Sequence, residues 1–429
     1  MKKLLLVFVL IAGFLVSCSQ PYLDQTSDPA ITNQIDELIT SYAEDYLFSG
    51  SVLIAEKGLI ILNKGYGFAD YERELPNTPH TQSSIGSVTK LFTCAAIKKE
   101  ADRGGLSLDD TLAKYIPDYP RGDEITISHL LDHSSGIPDL FNDLVYSNRD
   151  DPITMEELID RFMYEPLEFN PGTQHDYSNS GYILLAYVIE QTSGMAYSDY
   201  IEEKLFAPLE MNNSIANWDK GFSNKALGYY SPGGSSTPIK YPDINHSHLI
   251  GTGNLFSTVE DLYRWYQALY GDETLISFNC GGHFGRGYGY QAAFVHNSDL
   301  AIIVLSNFYD VPLDQMVFDV QEILLEDDLI ELGTALLDSY VGYYYALAPN
   351  GVETTIRISR MRNHLIVNDF DSNIFSPGIF SIYPISSERF IIKSKSGYGE
   401  QIDLQIDETN KNSQIIIDGR IVIELTLIE

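Results

Sequence analysis

Two pairs of strand-like segments lie near the two ends of one long region, and they constrain the fold more than any other feature of this chain. Residues 50–65 alternate in polarity and turn at Lys57 and Gly58, and residues 288–307 form a second pair that turns at Asn297 and Ser298. Between the pairs, apolar residues recur at helical spacing in the segments 87–103, 109–115, 126–133, 154–164, 179–192, 196–205 and 258–270. We therefore expect an α/β (α+β) fold, an antiparallel sheet completed by both ends of the region and flanked by helices, with an inserted all-helical lobe.

The pattern changes near Leu332, where short apolar runs separated by turn residues begin and continue to the last residue printed. Regular short strands of this kind indicate a small antiparallel sandwich or barrel. The sequence thus predicts a main domain over residues 35–330 and a small all-β domain over residues 335–429.

The first residues have the pattern of an export signal. Lys2 and Lys3 precede an apolar stretch that ends at Val16, which is shorter than the ~20 residues needed to span a bilayer. The ending Leu15-Val16-Ser17-Cys18 resembles the lipobox of bacterial lipoproteins, in which the cysteine becomes lipidated. We expect a lipoprotein signal peptide over residues 1–17, a tether over 18–34, and a protein anchored to the cell envelope through Cys18, facing the periplasm or the exterior. A plain secretory signal is the alternative.

Charge and cysteine content exclude some functions. With 60 acidic and 27 basic side chains the net charge is −33, so we expect no nucleic-acid partner. Cys94 and Cys280 could form one disulfide bond, but two unpaired cysteines are the favoured expectation. His129 and His133 have the spacing of a zinc protease, but Leu130 replaces the glutamate that such a site needs. We expect neither a metal nor another cofactor.

Ser87 and Lys90 are the first candidates for catalysis. Both lie at the predicted start of the helix over 87–103, and a spacing of three residues places them on one face of the helix. A lysine whose pKa is lowered by burial can accept the proton of a serine hydroxyl, which makes the serine a nucleophile. The oriented N–H groups at a helix start can also stabilise an oxyanion.

Two later motifs accompany this pair. Tyr177-Ser178-Asn179 follows a Pro-Gly turn and precedes an apolar helix, whereas the second copy of the motif, Tyr146-Ser147-Asn148, lies in a polar loop. We therefore favour Tyr177 and Asn179 as site residues. His283-Phe284-Gly285 lies in a glycine-rich strand, against which a substrate could lie as an additional strand.

These three motifs together resemble those of the serine β-lactamase and penicillin-binding-protein superfamily, in its class C-like, D-alanyl-D-alanine carboxypeptidase-like branch. The segments 127–140 and 251–269 resemble scaffold signatures of the same family, and the small β-domain resembles one that some members append. The resemblance implies that Lys90 and Tyr177 move protons, that Asn179 orients the substrate and the lysine, and that His283 supports Tyr177. It also implies that the N–H groups of Ser87 and of Arg286, which follows Gly285, bind the oxyanion. Only a short segment, 271–282, precedes the third motif, whereas family members usually carry a further strand there.

The predicted function is that of an exported serine hydrolase acting through an acyl-enzyme on a small-molecule or peptide substrate. The same residues serve D-amino-acid peptides, small esters and β-lactams, and we rank the first two above β-lactams. The alternative is a penicillin-binding-like binding or sensor protein with weak or lost turnover, and a purely structural lipoprotein ranks third. The sequence does not indicate an oligomeric state.

Overall fold

The computed structural model describes residues 28–44, 47–139, 151–218, 221–230, 238–242, 244–271, 282–309 and 311–325, and eight strands between residues 342 and 427. Its α-helices are α1 Pro29–Glu44, α2 Thr89–Asp102, α3 Ile127–Leu131, α4 Met155–Asp160, α5 Asn179–Ser193, α6 Tyr197–Ile201, α7 Val259–Gly271 and α8 Leu313–Leu325. None of the helices in this part of the chain is long and apolar enough to cross a membrane.

The strands before residue 310 are β1 Gly50–Glu56, β2 Leu59–Tyr66, β3 Phe68–Asp70, β4 Leu75–Pro76, β5 Ser83–Ser84, β6 Tyr229–Tyr230, β7 Ile239–Lys240, β8 Phe256–Ser257, β9 His283–Gly287, β10 Tyr290–His296, β11 Leu300–Ser306 and β12 Phe308–Tyr309. Five of them form the main sheet, in the order β2-β1-β11-β10-β9, and all four pairings are antiparallel. The sheet therefore joins the two predicted hairpins side by side, which confirms the predicted fold class. Strand β9, which carries His283 and Gly285, lies at one edge.

The alternation of side chains along β1 explains why the sheet is covered on both faces. Leu53 and Ala55 point into one cluster with the buried side chains of α2 and α5, whereas Val52 and Ile54 point into a second cluster with α1 and α8. All four side chains are at most 1% exposed. A strand buried on both faces fixes its neighbours firmly, because a slip by one residue would exchange the two faces. The inserted helical region lies on the first of these faces.

Helix α1 differs from the predicted boundary. It begins at Pro29, inside the segment expected to be a tether, because its apolar residues repeat at helical spacing and pack on the sheet. Ile35 and Ile39 are fully buried in the second cluster, and Ile31 packs against it. The folded part of the main domain thus begins at least six residues before the predicted position 35.

Cys94 corrects another expectation. Its side chain is 3% exposed, as expected, but it takes part in a disulfide bond rather than remaining unpaired. The other two cysteines, Cys18 and Cys280, lie outside the described residues.

The C-terminal strands form a separate closed structure. Strands β13 Gly342–Leu347, β14 Glu353–Met361, β15 His364–Asp369, β16 Ile379–Pro384, β17 Arg389–Lys393, β18 Gly399–Asp407, β19 Asn412–Ile417 and β20 Ile421–Leu427 each pair with the next. Strand β13 also pairs with β20, so the sheet closes into a barrel. Closure leaves no unpaired edge strand, and it selects the barrel from the two predicted arrangements.

Candidate active site

The candidate nucleophile lies in a tight turn at the start of α2. Residues Gly86–Val88 form one turn of 3-10 helix that leads directly into α2. Gly86 has a φ of +50°, and a β-carbon at this position would lie 2.8 Å from the backbone nitrogen of Arg286. Only glycine therefore allows this turn and the close approach of the neighbouring strand. The turn presents Ser87 with its Oγ 3.3 Å from the Nζ of Lys90.

Lys90 is buried, and no carboxylate among the described residues forms an ion pair with it. The residue is 2% exposed, and its Nζ also donates hydrogen bonds to Asn179 Oδ1 at 2.7 Å and to the carbonyl oxygen of Thr252 at 3.2 Å. Burial lowers the pKa of Lys90 to about 7, and the negative charge of Asp139 opposes this shift. An amine with such a pKa is partly unprotonated near neutral pH, so it can accept the proton of Ser87.

Tyr177 forms the other polar neighbour of Ser87. Its phenol is hydrogen-bonded to Ser87, and its ring centroid lies 4.9 Å from the Nζ of Lys90. The residue is 37% exposed because it borders a cavity, but the surrounding protein still raises the pKa of its phenol to about 12. Tyr177 is therefore a neutral phenol at neutral pH and can donate a proton or a hydrogen bond.

Strand β9 lies directly against the nucleophile turn. A β-carbon on Gly285 would lie 2.1 Å from the carbonyl oxygen of Ile85 and 3.0 Å from the backbone nitrogen of Ser87. The third motif thus reaches the nucleophile in spite of the short segment 271–282, of which residues 272–281 lie outside the described part of the chain. The backbone nitrogen of Arg286 lies close to Gly86 in the same turn, so β9 and the nucleophile turn are in close contact.

Two histidines beside the site are uncharged. His133 accepts a hydrogen bond from the backbone nitrogen of Ser178 at 3.1 Å, consistent with the structural role expected for it. His283 is hydrogen-bonded to the carbonyl oxygen of Phe284, and its ring centroid lies 6.4 Å from that of Tyr177. Burial, followed by the charge of Lys90, lowers the pKa of His133 to about 3 and that of His283 to about 4.

Two cavities meet at Ser87. The first, called here the tyrosine cavity, has a volume of about 530 Å³ and is bordered by Tyr177 and His283. The second, called here the aspartate cavity, has a volume of about 270 Å³ and is bordered by Asp139 and Asn179. Ser87 and Arg286 border both, so a substrate attacked by Ser87 can extend in two directions.

The structure brings together seven of the predicted site residues, and their chemical roles remain predictions. They are Ser87, Lys90, Tyr177, Asn179, His283, Gly285 and Arg286. The predicted lipidation site, Cys18, and the disfavoured motif at Tyr146 and Asn148 lie outside the described residues.

Sequence reasoning missed two residues of the site. The Thr252 carbonyl oxygen contacts Lys90, and the carboxylate of Asp139 accepts a hydrogen bond from Asn179 Nδ2 at 2.9 Å. The sequence holds only weak signals for them: Thr252 lies in the segment 251–269, which resembles a scaffold signature, and Asp139 follows the Gly-Ile-Pro of the segment 127–140.

Comparisons with known proteins show which proteins this chain resembles. The family model described as Beta-lactamase matches residues 35–277. The teichoic acid D-alanine hydrolase of Staphylococcus aureus (strain MRSA252) is 29% identical over 224 residues, which cover 52% of this chain and 55% of that protein. The chain spans about half the length of the curated relatives it matches, between 47% and 58% for the first of them.

Two solved structures share the fold. The octameric penicillin-binding protein homologue from Pyrococcus abyssi has a TM-score of 0.59 at 24% identity and covers 91% of this chain and 99% of its own. The D-amino acid amidase from Ochrobactrum anthropi SV3, complexed with L-phenylalanine, has a TM-score of 0.61 at 21% identity and covers 70% of this chain and 99% of its own. The family match extends over more than half of the chain, and the chain therefore belongs to the beta-lactamase family.

Proposed function

We propose that this protein is a serine hydrolase of the class C-like, carboxypeptidase-like branch that cleaves ester or amide bonds through an acyl-enzyme. One observation carries the proposal: the buried amine of Lys90 lies 3.3 Å from the hydroxyl of Ser87. Burial of a lysine next to a hydroxyl serves no packing purpose, because a buried amine destabilises the fold unless its charge is lost or paired. The arrangement has a clear chemical use as a nucleophile with its base.

The proposed mechanism uses the groups around Ser87 in sequence. The neutral amine of Lys90 accepts the proton of Ser87 while Oγ attacks the substrate carbonyl carbon, and the N–H groups of Ser87 and Arg286 stabilise the oxyanion. Tyr177 donates its proton to the leaving group and regains one from Lys90, so the bond to the leaving group breaks and the acyl-enzyme forms. Water then attacks the acyl carbon: Tyr177 takes a proton from the water while it passes its own proton to the neutral amine of Lys90. This proton returns to the Oγ of Ser87 when the bond to the acyl group breaks, which releases the acid product.

The names of two similar proteins support small D-amino-acid substrates. One relative is a teichoic acid D-alanine hydrolase and one structural neighbour is a D-amino acid amidase, and both names refer to D-amino-acid substrates. We propose small esters and amides or peptides of D-amino acids as substrates, ahead of β-lactams.

Turnover separates this proposal from a binding or sensor protein that is acylated once. Incubated with excess 4-nitrophenyl acetate, the protein is expected to release many equivalents of nitrophenol, and a brief reaction quenched in acid should leave an acetyl group on the peptide containing Ser87. The position of β9 against the nucleophile turn supports this expectation, because Gly285 and the backbone nitrogen of Arg286 lie close to the turn that carries Ser87. Release of a single equivalent, with a stable acyl group on Ser87, would instead identify a binding or sensor protein. Nitrocefin and a D-alanyl-D-alanine peptide, assayed in parallel, rank the substrate classes.

We also propose export and lipid anchoring at the cell envelope, supported by the basic and apolar start of the chain and by Leu15-Val16-Ser17-Cys18. In a bacterial host, the full chain is expected in the membrane fraction, and Cys18→Ser should move most of it to the soluble fraction because the lipidated residue is lost. Thr26→Ser, in the segment expected to be a tether and outside the motif, serves as the control and should stay with the membranes. Equal membrane retention of both variants would contradict lipidation at Cys18.

A further inference from the structure

The two cavities at Ser87 can be assigned to the two halves of a substrate, if the proposed mechanism holds. Tyr177 donates the proton to the leaving group, and it borders only one of the two cavities. The leaving group therefore lies in the tyrosine cavity, and the acyl group of the substrate extends into the aspartate cavity. The volume of about 270 Å³ is below the range of about 300–1,000 Å³ that is typical of ligand pockets, so it suits a small acyl group.

Asp139 gives the aspartate cavity a negatively charged wall. The other titratable side chains that border this cavity are His246, Tyr288 and Arg286, and of these His246 is neutral because burial lowers its pKa to about 3. Arg286 borders both cavities, and its guanidinium carbon lies 5.6 Å from the ring centroid of Tyr309, which offers it a favourable cation–π contact. A positively charged group on the acyl side of the substrate would find its partner in Asp139.

A buried amide connects this carboxylate to the catalytic base. Asn179 is 8% exposed; its Nδ2 donates to Asp139 Oδ2 at 2.9 Å, and its Oδ1 accepts from Lys90 Nζ at 2.7 Å. Asp139 is thus only one side chain away from Lys90, and its charge stabilises the ammonium form of that lysine.

The remaining titratable groups that face Lys90 carry no charge at neutral pH. They are two phenols and two imidazoles, belonging to Tyr177, Tyr182, His133 and His283. Burial raises the pKa of both phenols and lowers the pKa of both imidazoles. Among the described residues, Asp139 is therefore the charged group that acts on the lysine.

We propose that Asp139 binds the free ammonium group of an aminoacyl substrate, and that this contact favours the uncharged form of Lys90. The substrate cation compensates the negative charge that otherwise holds the proton on Lys90, and the lysine releases this proton to water before acylation. The resulting amine then accepts the proton of Ser87. A substrate with a free α-amino group would thereby activate the base that attacks it, and an N-acylated substrate would not.

The experiment compares two substrates that differ only at this group, D-alanine methyl ester and N-acetyl-D-alanine methyl ester, with methanol release as the readout. Asp139→Asn is expected to lower kcat/KM for the free amine at least tenfold more than it lowers kcat/KM for the N-acetyl ester. For the N-acetyl ester, the rise of kcat/KM with pH should move to lower pH in Asp139→Asn, because a charge that raises the pKa of Lys90 is removed. Asp160→Asn, an exposed aspartate in α4 that borders neither cavity, is the matched control and should change neither substrate.

Equal losses for the two esters would overturn the inference, because Asp139 would then only position Asn179. A wild-type preference for the N-acetyl ester, or an unchanged rate for the free amine in Asp139→Asn, would overturn it as well. In each of these cases, hydrolysis of the N-acetyl ester that depends on Ser87 would leave the proposed function intact. The absence of Ser87-dependent hydrolysis of both esters would count against the proposed function itself.

Discussion

Ser87→Ala is expected to lower kcat for ester hydrolysis by about 10³-fold or more, to near the uncatalysed rate. The substitution removes the oxygen that lies 3.3 Å from Lys90 Nζ, so no acyl-enzyme can form, although the cavities and the oxyanion nitrogens remain. The fold should be preserved, because alanine fits the same turn and keeps the backbone nitrogen. The measurement is the steady-state rate with 4-nitrophenyl acetate, together with mass spectrometry of the quenched reaction.

Ser198→Ala in α6 is the matched control, since it makes the same chemical change outside both cavities. It should retain the full rate. Folding of both variants is compared by circular dichroism and thermal unfolding. A folded Ser87→Ala protein that still hydrolyses the ester at the wild-type rate would remove Ser87 from the mechanism, and with it the proposed function.

The sequence could predict the sheet because its signal is local. Polar and apolar residues alternate over 50–65, which is typical of strands. In the structure, the side chains of Leu53 and Val52 accordingly lie on opposite faces of the sheet. The turn at Asn297 could also be predicted because its interactions are local. The Asn297 side chain accepts hydrogen bonds from the backbone nitrogens of Asp299 and Leu300. The start of α1 was predicted incorrectly as part of a tether, because the residues before it are polar and its first apolar residues are few.

The site was only partly predictable, because part of it depends on contacts that are distant in sequence. Ser87 and Lys90 are neighbours on one helix, so their spacing revealed the pair. Hydrogen bonds link Asp139 to Lys90 through Asn179, which is 40 residues away from Asp139 along the chain. No periodicity encodes such a contact. The disulfide bond of Cys94 escaped prediction for the same reason, because sequence spacing does not define which cysteines meet.

Lys90→Met is the second variant for which we expect a large effect, on both catalysis and stability. Methionine keeps the length and flexibility of the side chain but removes the base, so kcat should fall by about 10²–10⁴-fold.

The pKa of Lys90 is about 7 in the folded protein and 10.5 for an unperturbed lysine, so the folded state disfavours the ammonium. The destabilisation is fully present below pH 7 and is lost as the pH rises towards 10.5, because the unfolded chain then holds a proton that the folded protein has released.

The free energies of unfolding of wild type and Lys90→Met, measured with urea at pH 6 and pH 10, test this effect. At each pH, the free energy of unfolding of wild type is subtracted from that of the variant. This difference should be about 4 kcal/mol larger at pH 6 than at pH 10. Two acceptors, Asn179 Oδ1 and the Thr252 carbonyl oxygen, lose their donor in the variant, which costs about 1–3 kcal/mol each at both pH values and so cancels in the comparison. Lys99→Met, an exposed lysine of α2, makes the same change of charge in the unfolded chain and should show less than about 1 kcal/mol of this pH dependence. An equal pH dependence in both variants would mean that Lys90 keeps an ordinary pKa in the folded protein, and it could then not serve as the base for Ser87 near neutral pH.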